Sequence, residues 1–237
     1  MFFDRPGLAS CIHLFLMDKS IKILFLICLI GIAFACESTS EKNETEVMVD
    51  SSELLDDFPT KLDLVFAQKS EWYEHWAQKL GRFEADDFEL MLSDTLEGFE
   101  MPEKNPILPS DPLFPYQFPH PGGNGVMDIY SYKIEAQDEL DSPFLNPDSE
   151  VVWYKADGMK ERLLFMGPSG AFEEGLWLSE EEFIVLGFFQ EVEGFRPLVW
   201  LIRPNENLVY QFRMKKVTSD YKIESYLNKK IKKVELI

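Results

Sequence analysis

The sequence predicts an α+β fold in which an N-terminal helical hairpin packs on a mostly antiparallel β-sheet, built as an open meander or a sandwich. Three observations point there. Helical periodicity is strongest in the stretch before Gly98. Strand patterning begins at Gly125. Several of the later apolar runs are too continuous for a sheet with one face in water.

The first helix is expected over residues 60–80, where Leu62, Val65, Phe66, Trp72, Tyr73, Trp76 and Leu80 recur at helical spacing. Thr60 with Asp63 makes a capping-box-like start, Pro59 sits just outside it, and Gly81 supplies the stop. Residues 86–96 complete the hairpin through Phe88, Met91, Leu92 and Leu96, although Phe88, Leu90 and Leu92 also alternate as a strand would. Residues 101–121 hold seven prolines, which no helix survives. An extended connector with Leu113, Phe114, Tyr116 and Phe118 packed on the body is expected there.

Strands are expected at 126–134, 151–155 and 162–166, the last two joined through an Asp157-Gly158 turn. The runs at 183–189 and 198–202 are separated by Glu193-Gly194 and Pro197, and Asn205-Glu206-Asn207 turns the chain into 208–214. These continuous runs need cover on both faces, from the helices or from a second sheet. The final 24 residues carry seven lysines against three acids, which reads as a solvated basic face, and Ile223, Tyr226, Leu227 and Ile231 line one side of a helix or of a closing strand.

Composition excludes several function classes. A net charge of −19 opposes nucleic-acid binding, since a polyanion is repelled and no general basic surface exists to release its counterions. The three cysteines, Cys11, Cys28 and Cys36, all precede the body, so the body has no disulfide and no thiolate metal site. Past the leader only His75 and His120 remain, which excludes a zinc site of three histidines. No catalytic, metal or cofactor-binding residue is assigned.

The address is better marked. From Met17, which reads as the true start, Lys19 and Lys22 precede an apolar run from Ile23 to Ala35. The run is too short to span a bilayer and ends in Ala33-Phe34-Ala35, directly before Cys36. Ala35-Cys36 resembles the lipobox of bacterial lipoprotein signal peptides, with Ala33 where leucine is usual and Phe34 where a small residue is usual. The resemblance implies cleavage after Ala35, guided by Ala33 and Ala35, and a membrane anchor of lipid on Cys36. Residues 37–57 contain eight acids, one lysine and no aromatic, a composition expected to stay disordered as a tether. Acids just after a lipidated cysteine also resemble the surface-export signal of Bacteroidota lipoproteins.

The chain thus divides into a leader (1–35), lipidated cysteine and tether (36–58), helical hairpin (59–100), proline-rich connector (101–121) and β-rich domain with a basic end (122–237). Within the last, Val151 to Tyr154, Asp157-Gly158, Arg162 to Phe165 and Trp177-Leu178-Ser179-Glu180 resemble a blade of a TolB-like β-propeller over residues 148–213. About 115 residues cannot close a ring of blades, so a sandwiched or open sheet is expected instead.

Several residues invite chemistry. Glu173 and Glu174, with Glu180, Glu181 and Glu182 nearby, suggest paired carboxylates, but neighbours in sequence need not face each other across a cleft. Asp138, Glu139 and Asp141 lack the alternation of a calcium loop, and Gly167-Pro168-Ser169-Gly170 lacks a nucleophile frame and reads as a turn. His120 is expected in a surface loop, His75 at the edge of the helix face, and Gly122 to Gly125 as a turn. The expectation is a lipid-anchored lipoprotein of the bacterial cell envelope, at the outer membrane before the inner, that binds a protein or glycan without catalysis. The alternatives are a polysaccharide hydrolase using paired carboxylates and an acidic inhibitor of a basic enzyme. A cleft of converging carboxylates would favour the hydrolase, and an exposed aromatic patch the binder.

Overall fold

The structure, a computed structural model, describes residues 51–135 and 144–231. Ala33, Ala35, Cys36 and the Asp138, Glu139 and Asp141 group lie outside the described residues. The described chain is α+β, with three helices and two antiparallel sheets of five strands.

The helices are α1 (Ser51–Gln68), α2 (Ser70–Leu80) and α3 (Ser225–Lys230). Helix α1 begins earlier than the periodicity predicts and runs through Pro59, so residues 51–57 are helical where a tether was expected. Pro59 costs one main-chain hydrogen bond in that first stretch. The neighbouring Phe58 is buried and stacks on Phe212 with centroids 3.4 Å apart, which fixes the segment to the sheet. Helix α2 follows after a break at Lys69 and stops at Gly81, whose φ of 77° is open to glycine without strain.

The expected second arm of the hairpin is instead a strand, β1 (Phe88–Thr95). Its periodicity was ambiguous, and the edge of β12 (Leu208–Met214) offers it a full main-chain ladder with a bulge at Met91. Phe88 then joins Phe66 and Phe83 beneath the helices, while the rest of β1 is a largely exposed edge.

The first sheet has the order β1-β12-β11-β10-β9, with β9 (Gly170–Trp177), β10 (Phe183–Glu191) and β11 (Gly194–Arg203). The second has the order β2-β8-β7-β4-β3, with β2 (Phe99–Pro102), β3 (Phe118–Pro119), β4 (Val126–Asp128), β7 (Ser149–Tyr154) and β8 (Met159–Met166). A small hairpin pairs β5 (Ile134–Glu135) with β6 (Phe144–Leu145). The 148–213 stretch is therefore not a blade. Its first two strands belong to one sheet, and residues 167–169 carry the chain across to the other.

This arrangement answers the demand for cover on both faces. Alternate residues of β10 and β11, such as Phe183, Val185, Trp200 and Ile202, form one core with Met127, Val151, Trp153 and Leu163 of the second sheet. The other set, including Phe188, meets the helices through Trp76, and Phe212 of β12 does so through Phe58. Asp157-Gly158 and Asn205-Glu206-Asn207 turn as expected, the latter with Asn207 left-handed at φ 55°. Pro197 is not in a turn. It lies within β11 opposite Phe188, just before β11 begins to pair with β12, where a missing N–H breaks no ladder bond. The proline-rich connector is irregular between β2 and β3, with Leu113 buried and Tyr116 and Phe118 packed on the core, whereas Phe114 is exposed and not packed as expected.

Candidate functional site

The least ordinary feature of the fold sits on β9. Glu173 and Glu174 are consecutive, yet both are buried on the helix side of the sheet. Alternation would send one of them into the core between the sheets. A bulge prevents this: Leu186 pairs with Glu174 and Gly187 with Phe172, leaving Glu173 as the extra residue. Gly187 makes the bulge possible, because a Cβ there would lie 2.2 Å from the Ala171 carbonyl oxygen.

Every oxygen of both carboxylates is hydrogen-bonded. Trp72 and Trp76 of α2 donate their indole N–H groups to one Glu173 oxygen at 2.8 and 2.9 Å, and the Tyr221 hydroxyl donates to the other. Glu174 receives Lys69 and the Gly175 N–H on one oxygen at 3.0 and 3.1 Å. Its other oxygen takes Lys230 at 2.6 Å and Tyr226 at 2.9 Å. Burial pushes Glu173 up to about 7 against the pull of its three donors and with help from the adjacent Glu174 charge. Burial also presses on Glu174, but Lys69 and Lys230 reverse it and hold that carboxyl below its ordinary value. Burial and the Glu173 charge keep the Tyr221 hydroxyl firmly protonated. The pair joins α2, the 221 region and α3 to one strand.

This is not a hydrolase site. Glu173 is 0 % exposed, roofed by two tryptophans, and lies beside Glu174 on one strand. A glycosidase needs two carboxyls facing each other across a bond that can enter between them. A second carboxylate pair also fails that need. Glu100 and Glu161 border a polar cavity of about 560 Å³ beside Trp153. The Lys155 ammonium sits on both, at 2.9 and 2.7 Å, in the place a scissile bond would take.

The second sheet carries a different surface. Phe99 on β2 faces Arg162 on β8, and Phe165 shares that outer face opposite Glu150. The Arg162 guanidinium lies 5.2 Å over the Phe165 ring, and Tyr132 meets Phe165 edge-on at 6.3 Å. Phe99 is 60 % and Phe165 51 % exposed, with Met101 and Tyr132 also open to solvent. The row ends at β2, an edge strand closed by Pro102. Burial raises Glu150, despite Lys160 and Arg162 nearby.

The other sequence candidates serve the fold. Ser169 lies in the crossing turn, where its carbonyl accepts from Gln190. His120 is buried, a correction to the surface-loop expectation. It stacks near Trp153, makes a 2.9 Å bond with the Glu180 carbonyl through Nε2, and accepts the Gly122 N–H on Nδ1, which sets its tautomer. His75 packs on Tyr221 and Tyr226, and burial with Lys229 and Lys79 lowers it to about 4. Gly122 to Gly125 turns the chain, and Glu182 clamps Lys61 and Arg203. The basic end is partly spent inside the fold: Lys230 holds Glu174, and Lys215 and Lys216 hold the 82–87 stretch.

Sequence reasoning flagged Glu173 and Glu174 but missed their donors. Trp72 and Trp76, four apart on a helix, were the available signal, since a buried indole N–H needs an acceptor. The row of Phe99, Arg162 and Phe165 was hidden because its members meet only through strand pairing. No family model, no curated protein and no solved structure matches this chain.

Proposed function

We propose that the chain is a lipid-anchored envelope lipoprotein whose body is a non-enzymatic module that binds a protein. Ala35-Cys36 supports the anchor and the 37–50 stretch a spacer. The observation that carries the binding reading is the solvent-open row of Phe99, Arg162, Phe165 and Tyr132. Aromatic rings held rigid by a sheet, with a guanidinium between them, are the residue types that dominate protein interfaces. Strand β2 adjoins the row and is paired on one side only among the described strands, so a partner segment has main-chain groups to add to. A glycan would use the rings but not the strand edge.

A cross-linked pull-down from intact cells tests this, comparing wild type with a Phe99→Asp, Phe165→Asp double variant. One protein recovered with wild type and lost with the variant is the expected result. The same proteins recovered with both, or recovery of glycan alone, would contradict it.

A further inference from the structure

A second opening lies where α2, the connector and α3 meet, away from the aromatic row. It is a cavity of about 460 Å³, within the usual size of small-ligand pockets. Lys69, Lys230, Pro115, Tyr116 and Phe118 are among the residues that line it. Both ammonium groups are held from beneath by the buried Glu174 carboxylate, at 3.0 and 2.6 Å. That carboxylate is itself filled by the Gly175 N–H and the Tyr226 hydroxyl, and it neutralises only one of the two charges. Among the described residues neither lysine has a second acceptor, so each keeps N–H donors for the cavity. Lys69 also lies 5.4 Å over the Phe118 ring, which sets the cationic wall directly against the aromatic one.

We propose that this cavity binds a small organic anion: a phosphate or carboxylate group on Lys69 and Lys230, with an apolar part against Pro115, Tyr116 and Phe118. Glu174 is the positioning residue, because it holds two flexible lysines in one geometry before the ligand arrives. Glu71, exposed and bordering the cavity, is the acid that opposes an incoming anion.

The test uses the full chain in detergent micelles and phenyl phosphate as the probe, followed by phosphorus NMR titration. Saturable binding is expected, at least tenfold weaker in Lys69→Met and in Lys230→Met, and unchanged in Lys79→Met, whose partner is Asp220 outside the cavity. Inorganic phosphate is expected to bind more weakly than phenyl phosphate. The Lys69 and Lys230 variants disturb a buried carboxylate, so Glu71→Gln supplies a surface change that leaves the core untouched, with several-fold tighter binding expected. No saturable binding to wild type, equal affinity across the lysine variants, or no gain in Glu71→Gln would overturn the proposal.

Discussion

Replacing Glu173 by glutamine should change how stability depends on pH, with a sign the structure dictates. In the folded chain Glu173 is pushed from its ordinary 4.5 to about 7, chiefly by burial. Between those values the folded state holds the proton and the unfolded state has released it. Folding stability therefore falls as pH rises from 4.5 to 7. At 1.36 kcal/mol per unit the loss from this group is on the order of 3 kcal/mol, without discount for solvent because no part of the side chain is exposed. Glutamine keeps an oxygen for the two indoles and turns an amide toward Tyr221, but it does not titrate. Glu173→Gln should thus gain about 3 kcal/mol relative to wild type between pH 4.5 and 8, or roughly 6–12 °C in Tm for a body of this size. His75 works in the opposite direction in wild type, because a folded value of about 4 costs stability as pH falls from 6.5. Glu174, with a lowered value, adds a loss in acid below its ordinary 4.5. Taking the difference between variant and wild type removes the His75 contribution, and the Glu174 loss falls in more acid conditions than the pH 4.5–8 window. Urea unfolding followed by tryptophan fluorescence is the assay, since Trp72 and Trp76 touch the carboxylate. Parallel curves for the two proteins across pH 4.5–8 would show that Glu173 does not titrate between the folded and unfolded states in this window.

Three further outcomes follow from the same geometry. Trp76→Phe keeps a six-membered ring but removes the pyrrole half of the indole with its N–H from a buried carboxylate, and should cost at least about 1–3 kcal/mol in urea unfolding; no loss would mean that the indole bond is idle. Gly187→Ala should destabilise by about 1–3 kcal/mol through overpacking against the Ala171 carbonyl, read as a lower Tm, and an unchanged Tm would show that the bulge can shift. Labelled palmitate should enter the wild-type chain and not Cys36→Ser, and equal label in both would remove the proposed anchor.

The parts of this fold legible in the sequence were those fixed by local chemistry. Trp72 and Trp76 marked a helix face, Asp157-Gly158 and Glu193-Gly194 marked hairpin turns, and the apolar runs of β10 and β11 demanded cover on both faces. The misreadings came where partners distant in the chain decide. Residues 88–95 fit either period, and only the open edge of β12 made them a strand. Phe58 extended α1 across Pro59 because Phe212, far along the chain, waits to stack on it. The site was half legible for the same reason. Glu173 and Glu174 stood out as acids, but the bulge that turns both toward the helices depends on Gly187 in the next strand. Tyr221 and Lys230, which complete the network, come from a C-terminal stretch whose lysines looked like a solvated face.

As proposed, the body is tethered to a membrane and meets a protein through the face of β2 and β8. A photo-reactive p-benzoylphenylalanine placed at Phe165, and separately at the equally exposed Leu64 on α1, tests it in intact cells. A discrete protein adduct from position 165, absent from position 64 and weakened when Cys36 is changed to serine, is the predicted result. Adducts of equal yield from both positions, or none from position 165 with the anchor intact, would contradict the account.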